Sequence, residues 1–160
     1  MAKVIITDEQ MIAGSWNAWL KVLGIGAATG VIFWLLTLLI GRYIVDPLVC
    51  GQVVDAARCS ESLSISGGIA MILAAVVSVI VMVHASVARP IVIAIASTAV
   101  LWSFALWTEG LFWLEALAWS IALYIATFAL FGWITRYARL WVTILLSVLI
   151  VLIIRVALIA

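Results

Sequence analysis

Two carboxylates, Glu109 and Glu115, are the side chains of this chain whose type and position could do chemistry. They lie in the stretch 106–119, between two long apolar runs, and no acidic residue other than these two follows Glu61. Three tryptophans and a phenylalanine surround them, a pattern typical of the aromatic belt at a membrane interface. Gly110 between them indicates a tight turn. The stretch therefore predicts two carboxylates at the point where a membrane hairpin turns over.

Arg155, in the last apolar run, is the predicted partner of these carboxylates. Burying an ionisable side chain in a membrane costs free energy, so such a residue is a candidate functional site. A rise of about 1.5 Å per residue brings Arg155 and Glu115 to heights that long side chains and helix tilt can reconcile. We therefore name Glu109, Glu115 and Arg155 as a candidate intramembrane charge site, with Glu115 and Arg155 as its pair. The alternative is that each charge reaches the headgroup region separately.

The composition of the chain excludes a soluble domain and a nucleic-acid partner. Apolar residues make up 69% of the sequence and charged residues 9%, against roughly half and a quarter in soluble proteins. A soluble chain of this size could not bury so much apolar surface. The net charge is +1 and the sequence has no block of basic residues, so it lacks the side chains that would contact the phosphates of a nucleic acid. The predicted partner is membrane lipid, and other membrane subunits or self-association remain open.

Five apolar runs predict an all-α integral membrane protein, a bundle of about five transmembrane helices. Each run is long enough to cross a bilayer core of about 30 Å. The runs cover 22–45, 67–87, 90–107, 111–134 and the stretch from 140 nearly to the end. Residues 1–20 predict a short N-terminal interfacial helix, because Thr7 and Gln10 fit a capping box. The alternative is that 1–20 extends the first span; residues 21–160 form the bundle.

Gly26 and Gly30 in the first span form a small-xxx-small pair. Such a pair lets a second helix approach closely. The motif is weak as a signal, because glycine is frequent in membrane helices. It predicts helix packing, either in a dimer or, the interpretation that we favour, against another span of the same chain.

Cys50 and Cys59 are the cysteines of the chain, and both fall in the polar connection 46–66. Two thiols in one connection predict a disulfide, which persists on the oxidising side of a membrane. An unbroken helix would hold them too far apart, so the bridge requires the loop to fold back. A Cys-x-x-Cys motif is missing, which favours a structural disulfide over a redox centre.

The basic residues predict the orientation of the bundle. Lysine and arginine in short loops collect on the cytoplasmic side. With the N-terminus inside, the cytoplasmic side receives most of them: Lys3, Lys21, Arg89, Arg136 and Arg139. The loop 46–66 is then extracytoplasmic, as the disulfide requires, and so is the C-terminus. The predicted location is the plasma (inner) membrane, crossed several times.

No enzyme signature is present in the sequence. It has no glycine-rich phosphate loop, no His-Glu-x-x-His and no nucleophile elbow. The single histidine, His84, cannot supply paired haem ligands or a multi-histidine metal site. We therefore predict no enzyme, cofactor or metal. The predicted function is a structural or assembly component of a membrane complex; the alternative is a small transporter or channel that uses Glu115 near the outer leaflet.

Overall fold

The computed structural model describes residues 8–49, 62–87, 89–102, 104–108, 110–137 and 140–159. Every regular element in these ranges is a helix, which confirms the helical fold class for the described part of the chain. The elements are α1 (Asp8–Ile40), a π-helical segment (Gly41–Val45), α2 (Asp46–Val49), α3 (Ser62–His84), α4 (Pro90–Leu101), α5 (Phe104–Trp107), α6 (Trp113–Tyr137) and α7 (Leu140–Ile159).

The long helices run up and down, so the bundle has two ends. Gly41, just beyond α1, lies against Ser66, so α1 finishes where α3 starts; we call this the Ser62 end. At the opposite end, the His84 end, the Arg89 guanidinium donates a hydrogen bond to the Thr143 hydroxyl (2.8 Å). This bond joins the start of α4 to the start of α7.

Three helices are long and apolar enough to cross a membrane. They are Trp19–Leu48, Ser64–His84 and Trp113–Thr135, and two shorter apolar helices accompany them, Pro90–Leu101 and Trp141–Ile154. Large apolar side chains cover their outward faces, as on Ile72, Leu145 and Ile153. Such apolar surfaces suit contact with lipid, because lipid tails, unlike water, do not penalise exposed apolar side chains.

The first helix is one continuous element, which for residues 8–20 agrees with the alternative that they extend the first span. The sequence separates an interfacial helix over 1–20 from a span over 22–45, whereas α1 runs from Asp8 to Ile40 as one helix. Its 33 residues extend about 50 Å, well beyond a bilayer core of about 30 Å. The helix continues through residue 20, and its backbone hydrogen bonds are not interrupted there. The proposed cap Thr7 lies outside the described residues.

A π-helical segment joins α1 to α2. The Asp46 N–H donates to the Gly41 carbonyl, five residues back. Pro47 explains the wider turn, because in an α-helix its ring would clash with the Tyr43 carbonyl. A short helix thus begins at Asp46, and it continues the first helix instead of starting anew.

The predicted span 90–107 is broken into two helices, α4 and α5. Trp102 ends α4 with a ψ of 129°, a value outside the helical region. The break turns Trp102 outward, 45% exposed, and Phe104 inward, 4% exposed. Neither glycine nor proline is present at the break, so the sequence carries no signal for it. Burial of the Phe104 ring in the core is the physical reason that we assign to it.

The core of the bundle is built on α1 and α6, with aromatic rings at its centre. Phe33 of α1 contacts Phe104 and Tyr124, with ring centroids 6.1 and 5.6 Å away. Tyr124 also contacts Phe128, at 6.1 Å. Offset and tilted ring pairs of this kind stabilise a core beyond their burial alone. Phe104 thereby ties the broken span to the two central helices.

Candidate functional site

Glu115 lies in the first turn of α6, and its side chain is exposed. A carboxylate there is favoured by the positive end of the helix dipole. The neighbouring Trp113 ring packs on Trp34 of α1, with centroids 6.3 Å apart, which fixes the start of α6. Glu109 lies outside the described residues, as does the side chain of Arg155. The pairing of Glu115 with Arg155 therefore stays a prediction.

Gly26 and Gly30 lie in the contact between α1 and α6. A Cβ built on Gly30 would stand 2.8 Å from the Cα of Ile121, and one on Gly26 would stand 3.1 Å from the Tyr124 carbonyl oxygen. The pairing of earlier residues of α1 with later residues of α6 makes the two helices antiparallel. At Gly30 a side chain would force the two helices apart, and at Gly26 it would require α6 to shift by a few tenths of an ångström. We call this contact the α1–α6 seam.

Cys50 and Cys59 both lie outside the described residues. Their disulfide therefore stays a prediction from the sequence. The described chain approaches them from both sides, since α2 ends at Val49 and α3 begins at Ser62.

Most buried hydroxyls of the bundle are bonded to their own helix. Thr29 donates to the Ile25 carbonyl at 2.7 Å, and Thr37 donates to Phe33 at 2.9 Å. Four more do the same: Ser78, Ser120, Thr127 and Thr135. The hydrogen of each of these hydroxyls is therefore used within its own helix and is not left for a bond between helices.

Three buried hydroxyls differ from the others. Within the described residues, Ser97 Oγ, Tyr124 Oη and Ser147 Oγ have no hydrogen-bond partner. They belong to α4, α6 and α7, which pack against one another. A buried hydroxyl without a partner loses about 1–3 kcal/mol relative to one that is satisfied. These three groups are therefore a destabilising feature of the interior.

A small cavity lies at the break between α4 and α5. Its volume is about 80 Å³, and it is bounded by Ser64, Gly67, Gly68, Met71, Trp102, Ala105 and Leu106. One wall is thus the beginning of α3, and the other is the broken span. Non-helical backbone at membrane depth is tolerated where it is buried in protein or lines a cavity. The break satisfies both conditions.

The two glycines of α3 that line this cavity differ in their surroundings. A Cβ on Gly67 would collide with the side chain of Ala105, so Gly67 allows α5 to lie directly on α3. A Cβ on Gly68 would meet no atom within 4 Å. Close packing therefore accounts for Gly67, whereas Gly68 stands beside open space.

The ends of three helices border the cavity: the end of α4 at Trp102, the start of α5 and the first turn of α3. The starts of α3 and α5 carry positive partial charges, and the end of α4 carries a negative one. No basic side chain occupies the last turn of α4 to offset that charge. None of the described residues that bound the cavity is charged. The opposed helix ends therefore give the cavity no single sign of charge.

An apolar groove runs between α3 and α4 on the outside of the bundle. Its volume is about 400 Å³. Small side chains line it, among them Ala75, Ala94 and Ala99, while Ile72 and Ile95 are exposed beside them. The one hydroxyl in its lining, that of Thr98, donates to the Ala94 carbonyl at 2.7 Å. The groove is therefore an apolar surface suited to a lipid chain or another helix.

Neither of these two spaces reaches the residues that the sequence singled out. Glu115, Gly26 and Gly30 are absent from both linings. Among the residues that the structure describes, no group of three or more His, Cys, Asp or Glu could hold a metal ion. The sequence assigns no site to Gly68 or Ser64. Their one signal is the run 62–68, rich in serine and glycine, before an apolar helix.

The chain matches no known protein family, no curated protein and no solved structure. Its function is therefore argued from its own geometry.

Proposed function

We propose that this protein is a structural or assembly component of a membrane complex. The observation that carries this proposal is the filled interior. The α1–α6 seam brings two backbones into contact at Gly30, and the Phe33, Phe104 and Tyr124 rings occupy the centre. A pathway for ions or polar solutes needs lined polar groups, and most buried hydroxyls here are committed to their own helices.

The proposal includes five crossings of the membrane. Three are supported by α1, α3 and α6, which are long and apolar enough by themselves. We infer that α4 and α5 together make a fourth crossing, broken at Trp102. The 20 residues of α7 extend about 30 Å and make the fifth. This count agrees with the alternation of the helices between the Ser62 end and the His84 end.

The proposal also includes an orientation and a disulfide. We place the N-terminus in the cytoplasm of a cell with a plasma (inner) membrane, because the basic residues then lie mostly inside. The Ser62 end is then extracytoplasmic, together with Cys50 and Cys59, which we propose are bonded to each other. Arg155 would reach the same side, where we propose Glu115 as its partner.

The test of the function is the size and the permeability of the native assembly. A tagged copy is extracted from its own membrane in mild detergent and weighed by native mass spectrometry. We expect a defined assembly with further subunits in fixed ratio. In parallel, liposomes that contain the purified chain should pass monovalent ions and small solutes no faster than empty liposomes. A lone monomer that passes solute, with flux lost in Glu115→Gln, would instead support a small transporter or channel.

The groove between α3 and α4 is the first surface to examine for such a subunit contact. Its alanines leave room for the backbone of another transmembrane helix, the usual basis of helix association in lipid. We expect Ala75→Leu, which fills the groove, to reduce the amount of the assembly. The matched control is Ala122→Leu on the exposed face of α6, which should leave it unchanged. Equal effects of the two variants would remove the groove from the proposal.

A further inference from the structure

We propose that α7 is a releasable strap, a helix that leaves the bundle while the other helices stay together, and that a bond to Arg89 holds it closed. The inference concerns the order in which the bundle opens, and it does not rest on the assembly function. α7 contacts α4 and α6. Its outward side chains are large and exposed, as on Trp141, Leu145 and Leu152. α7 therefore lies at the edge of the bundle.

The apolar core is built without α7. Among the residues that the structure describes, every buried apolar side chain lies between Val22 and Ile134, before α7 begins. α7 packs against this core through partly buried side chains, those of Ile150, Val151 and Ile154. In lipid, helices are held together by close packing and by hydrogen bonds, without a hydrophobic driving force. The attachment of α7 is therefore weaker than the contact between α1 and α6.

The buried residues of α7 that the structure describes, Thr143 and Ser147, both carry hydroxyls. The Thr143 hydroxyl accepts a hydrogen bond from the Arg89 guanidinium at 2.8 Å, whereas Ser147 Oγ is buried without a partner. A hydrogen bond to a charged group is among the stronger ones in proteins, and a buried hydroxyl without a partner is destabilising. Thr143 therefore ties α7 to the start of α4, and Ser147 weakens the attachment.

The backbone of Arg89 is strained in the closed position. Its φ and ψ are both 53°, in the left-handed region, which is unfavourable for a residue with a Cβ. Pro90 follows it, and a residue before proline prefers an extended backbone. Strain of this kind persists only where the surrounding contacts maintain it. Loss of the bond to Thr143 lets Arg89 relax, so the strain favours release of α7.

The test follows two helix contacts separately while dodecyl sulfate is added to the purified chain in lipid bicelles. In a chain whose Cys50 and Cys59 are changed to serine, a donor and an acceptor dye at Leu35→Cys and Leu149→Cys report the position of α7. A second pair, at Leu35→Cys and Leu130→Cys, reports the α1–α6 seam. All three leucines are exposed. We expect the α7 pair to lose energy transfer at a lower dodecyl sulfate fraction than the seam pair.

The decisive variant is Thr143→Val, which removes the acceptor of the Arg89 bond and keeps the shape of the side chain. At a fixed dodecyl sulfate fraction, the ratio of released to closed α7 should rise about tenfold, the factor expected for one hydrogen bond to a charged group. The seam pair should not respond. The matched control is Ser147→Ala, a buried hydroxyl of the same helix with no bond to lose, which should not promote release.

Two results would overturn the proposal. The first is that the two dye pairs of the otherwise unchanged chain lose energy transfer at the same dodecyl sulfate fraction, because α7 would then open only together with the seam. The second is that Thr143→Val and Ser147→Ala shift the release of α7 equally. Should Thr143→Val fail to fold, the comparison of the two dye pairs decides by itself.

Discussion

This bundle contains two pairs of glycines, and glycine has a different role in each pair. Gly26 and Gly30 on α1 both stand against the backbone of α6, with distances from a built Cβ of 3.1 and 2.8 Å. On α3, Gly67 is covered by Ala105, while Gly68 faces open space. The first pair closes the interior, and the second borders a cavity at a broken helix.

A small residue in a membrane helix is therefore explained by packing only where another part of the protein packs against it. At the α1–α6 seam, the approach of two backbones accounts for both glycines. At Gly68, glycine costs helix stability, about 0.5–1 kcal/mol relative to alanine, and no contact offsets the cost. Gly24 on α1 likewise meets no atom within 4 Å, so open space beside a glycine does not by itself indicate a function.

The largest expected effect is at the seam, from Gly30→Leu. The new side chain would begin 2.8 Å from the Ile121 backbone, so α1 and α6 must separate. Overpacking costs about 1–3 kcal/mol and sometimes more, and we expect the upper end, seen as a lowered unfolding midpoint in nanodiscs. Gly24→Leu, on the same helix but facing open space, is the control. Equal stability of the two variants would contradict the close contact.

A second prediction sets the neighbours Gly67 and Gly68 against each other. Gly67→Ala should destabilise the fold, by about 1–3 kcal/mol, because its methyl group collides with Ala105. Gly68→Ala should stabilise it by about 0.5–1 kcal/mol, through helix propensity alone. Both are measured by unfolding in lipid nanodiscs. Effects of the same sign would show that the two positions do not differ as described.

The smallest expected effect is that of Tyr124→Phe at the seam. The Tyr124 hydroxyl is buried and has no partner among the described residues. Its removal should therefore leave the free energy of unfolding unchanged or raise it by up to about 1 kcal/mol. Chemical unfolding of the two proteins under one condition measures this. A clear loss of stability would mean that the hydroxyl has a partner within the folded protein.

The sequence predicts the helices well where hydrophobic length and proline determine them. Pro90 starts α4 as predicted, and the predicted span 67–87 lies within three to five residues of α3 at each end, Ser62–His84. The π-helical segment could have been suspected from Pro47, which must disturb the preceding turn of any continuing helix. Such features depend on local chemistry, and local chemistry is readable from sequence.

The break at Trp102 and the cavity beside it could not be predicted in this way. No glycine or proline occurs at residues 102–103, and the break depends on where the Phe104 ring finds its place between α1 and α6. The surroundings of Gly68 likewise depend on the path of α5 over α3. These are consequences of tertiary packing, and apolar periodicity carries no information about them.

The most direct test of the central claim, a closed interior, is the water accessibility of the buried hydroxyl positions. Single cysteines replace Ser97, Ser120 or Ser64 in a chain whose Cys50 and Cys59 are changed to serine, and each reacts with a small charged thiol reagent in liposomes. The account predicts modification at Ser64→Cys, which is exposed, and none at Ser97→Cys or Ser120→Cys from either side. Rapid modification at Ser97→Cys or Ser120→Cys would reveal a water-filled path through the bundle and would contradict the proposed structural role.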